Sequence, residues 1–286
     1  MSIHGILGEQ TTDYPTEYSP ETLYPIARSM GRDVIGWQDD KLSVGIDWWQ
    51  AFELSWLNQQ GISQVAIARF AIPASSPFIV ESKSLKLYLN SINFTEFANW
   101  EEVQTLIAKD LSQCVQAEVK VELFGLEDEH SGLLIAQPEG ICIDDVLADS
   151  TAKVELCEHP DASLLSDHNT DAALHDHAQP YVFYSNLLRS NCPVTNQPDW
   201  GTLAVSITSE KPVNNANMLR YILSFRQHNG FHEQCVEQIF ADLSKYYEPS
   251  TLMVRAWYTR RGGIDINPCR VSDIALLPVP SRLIRQ

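Results

Sequence analysis

The sequence predicts an α+β fold built from two tandem copies of one module, and three observations lead there. Leu219-Arg220-Tyr221-Ile222-Leu223 echoes Leu85-Lys86-Leu87-Tyr88-Leu89, Val236-Glu237-Gln238-Ile239-Phe240-Ala241 echoes Val103-Gln104-Thr105-Leu106-Ile107-Ala108, and Asp242-Leu243-Ser244 repeats Asp110-Leu111-Ser112. The offsets of 134, 133 and 132 residues drift as a duplication with small deletions would. After each copy comes an alternating run, Ala117 to Leu123 and then Leu252 to Tyr258, which reads as a strand. Matched order across three elements outweighs chance likeness between two helices of common residues.

Residues 1–32 are rich in Thr, Tyr, Pro and Glu without apolar periodicity, so an extended arm lying on the body is expected, with no function assigned to it. The first module spans 33–126. In it Trp48, Trp49, Phe52, Trp56 and Leu57 recur at near-helical intervals and anchor a core segment, a base-stacking platform being the weaker reading in so acidic a chain. Gln64 to Phe70 alternates as a strand broken by Pro73 and Pro77, and Glu81 to Tyr88 reads as the start of a further strand. Period two would send Glu81, Lys83 and Leu85 to one face of it. Glu102 to Leu111 has helical spacing. From 127 to 179 runs an acidic connection in which Leu133 to Ile135 and Gly140 to Ile143 form short strands. Its His168, His175, Asp176 and His177 match no specific zinc spacing, and a solvated acidic loop is the preferred reading. The second module spans 180–286.

The chain has 286 residues, 44% hydrophobic and 20% charged, with ample length for a buried core. A formal net charge of −17 excludes nonspecific nucleic-acid binding, and any polyanionic ligand requires a local basic pocket. No run is apolar enough to cross a bilayer, and the N-terminus lacks a basic-then-apolar signal pattern, so a cytoplasmic protein is expected. Its six cysteines form no CxxC pair and should be free thiols.

Chemistry concentrates at Ser190-Asn191-Cys192-Pro193-Val194-Thr195-Asn196-Gln197-Pro198-Asp199-Trp200. Asn191, Pro193, Asn196 and Pro198 are turn-formers, so Cys192 sits on a loop where a thiolate can meet a ligand, with Asp199 on the same loop before the strand from Thr202 to Ile207. A thiol and a carboxyl group so placed suit covalent catalysis with proton transfer. From spacing alone, a structural cysteine in a turn stays equally open. The copies have also kept different polar groups. Glu81 and Lys83 have no counterpart at Val213 to Met218, and Asn229-Gly230-Phe231-His232-Glu233-Gln234-Cys235 opens the second copy's helix where the first has Phe94-Thr95-Glu96-Phe97. Such division is expected if one site is assembled where the modules meet.

Glu81-Ser82-Lys83-Ser84-Leu85-Lys86-Leu87-Tyr88, the Cys192 stretch with Asp199-Trp200, Phe231-His232-Glu233, and Tyr258-Thr259-Arg260-Arg261-Gly262-Gly263-Ile264-Asp265-Ile266-Asn267-Pro268 together resemble the NADPH-dependent 7-cyano-7-deazaguanine reductases of queuosine biosynthesis, in their long two-module form. The resemblance implies tandem tunnelling-fold modules, antiparallel sheets with helices packed on one face, and a homodimer. It implies reduction of a nitrile to a primary amine at the expense of two NADPH, with no metal, no membrane and no direct nucleic-acid partner. By position, Cys192 is the nucleophile that forms a covalent thioimide and Asp199 moves its proton from a semi-buried site. Val80, Glu81, Ser82, His232 and Glu233 are the implied contacts to the deazapurine. Ser82, Lys83, Arg261 and Gly262 are those to NADPH, for which no GxGxxG follows a strand.

Two other readings compete. A zinc-dependent cyclohydrolase of the same fold needs a His and Cys cluster, and a non-catalytic purine-binding module needs neither Cys192 nor Asp199.

Overall fold

The structure, a computed structural model, describes residues 14–37, 39–128, 133–151, 153–166 and 179–286. His168, His175, Asp176 and His177 lie outside the described residues. No helix among the described residues is long and apolar enough to cross a membrane, and the cysteines are free thiols.

The first copy runs β1 (Pro25–Ala27), α1 (Ser29–Ile35), α2 (Asp39–Leu42), β2 (Gly45–Leu57), β3 (Ser63–Pro73), β4 (Phe78–Val80), α3 (Ser82–Ser91), α4 (Trp100–Val115) and β5 (Lys120–Phe124). The connection holds two short strands, β6 (Ile135–Ala136) and β7 (Ile141–Cys142). The second copy runs β8 (Tyr181–Asn191), β9 (Pro198–Thr208), α5 (Asn215–Ser224), α6 (His232–Tyr247), β10 (Thr251–Tyr258), β11 (Ile264–Val271) and β12 (Arg282–Leu283). Eight strands form one sheet in the order β5-β3-β2-β11-β10-β9-β8-β7, antiparallel except where β7 meets β8. The copies fuse at β2–β11, from Ile264 opposite Ala51 to Arg270 opposite Gly45.

The long helices pack on one face of this sheet. Leu85, Tyr88, Val103 and Ile107 meet Trp49, Phe70 and Ile266 in one core cluster, and Met218, Tyr221, Val236 and Ile239 meet Val205, Leu252 and Val254 in the other. The opposite face carries Trp48, Cys269, Val271 and Trp257.

Two segments depart from their sequence expectation. Glu81 to Tyr88 does not start a strand; Ser82 to Ser91 is helical. The Glu81 carboxylate caps it, accepting from the backbone N–H groups of Lys83 at 3.0 Å and Ser84 at 2.7 Å, and Leu85, Tyr88, Leu89 and Ile92 recur at i, i+3, i+4 and i+7 on its buried side. Trp48 to Leu57 is a strand and not a helix. A bulge between Ala51 and Leu54 shifts the inward positions from odd to even, so that Trp49, Ala51, Leu54 and Trp56 all reach the core and imitate a longer period.

The repeat is visible in hydrogen bonds. Tyr88 Oη donates to Asp110 Oδ2 at 2.7 Å, and Tyr221 Oη donates to Asp242 Oδ2 at the same 2.7 Å. Burial pushes the pKa of the Asp242 carboxyl up against the pull of Tyr221 and Gln238. Tyr221→Phe leaves that buried group one donor short and is expected to cost about 1–3 kcal/mol in chemical denaturation.

Residues 14–32 are more than an appended arm. Arg28 and Arg32 enter a buried ion network in which Asp47 accepts from Arg28 at 2.6 Å and Arg270 at 2.7 Å, and Glu237 accepts from Arg32 at 2.8 Å and Arg270 at 2.7 Å. This network ties the start of the chain to α6 and to the joining strands, one helical turn below Glu233.

Candidate active site between the two copies

A cleft of about 170 Å³ opens between the β4–α3 junction of the first copy and the β8–β9 hairpin and α6 N-terminus of the second. Val80, Glu81, Ser82, Cys192, Asp199, His232, Glu233 and Arg261 all line it. Lys83 and Gly262 lie outside its lining; the Gly262 carbonyl accepts from Lys86 Nζ at 2.6 Å.

The hairpin sets the two reactive groups. Cys192 N–H donates to the Gln197 carbonyl at 2.9 Å and closes a tight turn, in which Asn196 takes a left-handed φ of 55°. Asp199 is on β9 and not on the loop, directly opposite Ser190. Cys192 continues the alternation two residues past Ser190, which places it on the Asp199 face as a diagonal neighbour. Asp199 is buried, and its Oδ1 lies 2.7 Å from Arg261 Nε and 3.2 Å from His232 Nε2. His232 stacks on Tyr258 at 3.8 Å and an interplanar angle of 6°, and its Nδ1 is buried without a hydrogen-bond partner. Arg261 also donates to Gln197 Oε1 at 3.1 Å and to the Pro198 carbonyl at 2.6 Å, so one guanidinium holds both the turn and the carboxylate.

Glu233 is 2% exposed, and its Oε1 has no partner. Burial, reinforced by Asp47 and opposed by Arg28 and Arg270, pushes its pKa up to about 8. Burial also raises that of Glu81 against the pull of its two backbone N–H donors and Lys83. The cleft therefore holds a half-buried thiol, a carboxylate fixed by an arginine and a histidine, and a second carboxyl group waiting for donors.

Residues 14–123 match the family described as "Nitrile reductase, 7-cyano-7-deazaguanine-reductase N-term", and residues 198–274 match the "QueF-like protein" family. The NADPH-dependent 7-cyano-7-deazaguanine reductase of Psychrobacter cryohalolentis is 87% identical over 286 residues, 100% of each chain. Those of Psychrobacter arcticus and Acinetobacter baylyi are 85% and 52% identical, again over 100% of both chains. The chain belongs to the NADPH-dependent 7-cyano-7-deazaguanine reductases.

For a reductase of this family, the cleft mouth fits an anionic cofactor in part. Ser82 is exposed there and Arg261 keeps a third of its side chain open, at 34%. Sequence reasoning missed two contributors. Phe231 lines the cleft beside Trp49, and Asn191 fixes the hairpin to the α5–α6 connection: its N–H donates to the His228 carbonyl at 2.8 Å and its carbonyl accepts from Gly230 N–H at 3.1 Å. Phe231 belongs to the Phe231-His232-Glu233 motif. Asn191 reads from sequence only as a turn-former, because nothing in its spacing points to a partner 37 residues on.

Proposed function

We propose that this chain reduces the nitrile of 7-cyano-7-deazaguanine to an aminomethyl group at the cleft between its copies, with NADPH as reductant. The observation that carries the reading is the convergence of Cys192, Asp199 and Glu233 from separate elements on one cleft. A deazaguanine presents a ring N–H and an exocyclic amino group side by side, and the Glu233 carboxylate accepts from both. Trp49 and Phe231 supply aromatic walls for a planar base, with Val80, Glu81 and Ser82 on the first copy's side.

The Cys192 thiolate adds to the linear nitrile carbon. The C–S bond forms, one C–N π pair moves to nitrogen, and Asp199 passes the thiol proton to that nitrogen. The product is a bent thioimide whose carbon accepts hydride more readily than the nitrile did. NADPH, when bound, supplies hydride to that carbon, twice per amine, because nitrile to amine is a four-electron change. Ser82 and Arg261 would hold it at the mouth, with Lys83 and Gly262 beyond the lining. Between the two reductions Cys192 leaves as thiolate, and Asp199 with His232 keeps a proton available for nitrogen. No step requires a metal.

Asp199→Asn preserves shape and removes the proton acceptor. Adduct formation, followed by intact mass over time, is expected to slow by about 10²–10⁴-fold. Consumption of two NADPH per amine is the required stoichiometry, and a ratio of one would sink the reading. A homodimer is proposed as the working form, because β5 is the terminal strand of the sheet and no further strand pairs with it among the described residues; sedimentation tests it.

A further inference from the structure

Three guanidinium groups surround the Trp200 ring: Arg189 at 5.6 Å from its centroid, Arg226 at 5.9 Å and Arg285 at 5.6 Å. Among the described residues, none of the three forms an ion pair with a carboxylate. In a chain of net charge −17 this is unusual. Nearby Arg260 and Arg282 flank Phe52 in a similar way, but they share the charge of the buried Asp265. Around Trp200, among the described residues, no carboxylate pairs with the three guanidiniums. Attraction to an indole face offsets some of the mutual repulsion, and an anion would remove the rest.

The cluster is also pre-set. Arg189 Nη1 donates to the Arg226 carbonyl, and Arg285 Nη1 donates to the Asn186 carbonyl at 2.7 Å. Backbone oxygens thus hold two guanidiniums in place without neutralising them. Arg189 faces Trp200 across the β8–β9 ladder.

Its position relates it to the cleft. Trp200 follows Asp199 on β9, so the two side chains point to opposite faces of the strand end. Between them stands the hairpin tip gripped by Arg261. A ligand with its reactive end beside Cys192 and a second, aromatic and polyanionic end would pass over that tip and meet Trp200.

We infer that Trp200 with Arg189, Arg226 and Arg285 binds the phosphorylated adenosine half of NADPH. The indole and the guanidinium planes stack on the purine, and the free guanidinium edges take the phosphate monoester dianion. This rests on the cofactor assignment above, and the cluster is a local basic pocket of the kind a polyanion requires in so acidic a chain.

The test uses Trp200→Leu, Arg226→Ala and the Arg226→Ala/Arg285→Ala pair in the full-length protein. Adduct formation between Cys192 and the cyano-deazaguanine consumes no NADPH, so its rate should stay at the wild-type value. The KM for NADPH should rise about tenfold or more in the pair, the KM for NADH much less, and inhibition by adenosine 2′,5′-bisphosphate should weaken in parallel. Calorimetry with that bisphosphate alone reads the site without turnover. Unchanged NADPH KM and bisphosphate affinity in folded variants overturn the inference. So does a change of oligomeric state on Arg226→Ala, which would make the patch an interface between copies. Failure of the wild-type protein to form an adduct would instead strike the proposed reaction, and the bisphosphate titration would still decide this site.

Discussion

Cys192→Ala is expected to lose the covalent adduct entirely and to lower nitrile reduction by about 10⁴-fold or more, the scale set by removal of a covalent nucleophile. Stability should change little, because Cys192 is half-buried at a turn and belongs to neither core cluster. Three other thiols make the control informative. Burial pushes the pKa of Cys235 and of Cys269 up to about 12 and that of Cys114 up to about 11, so none of these supplies thiolate near neutral pH. Intact mass after incubation with the cyano-deazaguanine should show one addition in wild type and in Cys114→Ala, and none in Cys192→Ala. An addition that persists in Cys192→Ala would move the nucleophile elsewhere.

The sequence reveals the repeat and the composition of the site more clearly than the local structure around it. Alternation identifies strands where no bulge interrupts it, as in Ser63–Pro73 and Thr251–Tyr258. It failed at Trp48 to Leu57, where a bulge changes the parity of the inward positions and no residue announces it. Glu81 to Tyr88 failed for another reason. A glutamate is a less usual helix cap than Ser, Thr, Asp or Asn, and the short run of alternating Ser and Lys hid the spacing of Leu85, Tyr88, Leu89 and Ile92. The error matters for the site, since a capping carboxylate is already engaged by two backbone N–H groups and points differently from one on a strand. The union of Val80, Glu81 and Ser82 with His232 and Glu233 in one cleft follows from the β2–β11 seam, a pairing between residues more than 200 apart. Periodicity carries no information about such a seam. Arg28 and Arg32 were likewise illegible, because an arginine in a segment without apolar period reads as solvated until the carboxylates it meets are known.

Glu233→Gln should separate recognition from stability, with opposite signs. The side chain keeps its shape, but its amide replaces one acceptor with a donor facing the donors of the base. Two charge-assisted hydrogen bonds are lost, and kcat/KM for the cyano-deazaguanine is expected to fall by about 10²–10⁴-fold. The pH dependence follows from the buried carboxyl, whose pKa stands near 8 instead of 4.5. Only the ionised form accepts both N–H groups, so in wild type KM should rise as pH falls through about 8, by at most about tenfold per unit, and the Gln variant should lack this limb. Stability runs the other way. The unfolded chain releases the proton near 4.5 while the folded chain keeps it to about 8, so the folded state binds more protons across that interval and stability declines as pH rises through it. The variant escapes this penalty: it should unfold at a higher temperature than wild type at pH 9 and lose that margin by pH 4. Arg28 and Arg270 moderate the penalty from the network beneath, and Asp47 adds to it, so the same buried charges that fix α6 also set how readily Glu233 ionises when the base arrives. A variant with wild-type KM and an unchanged low-pH limb would mean that another group reads the base.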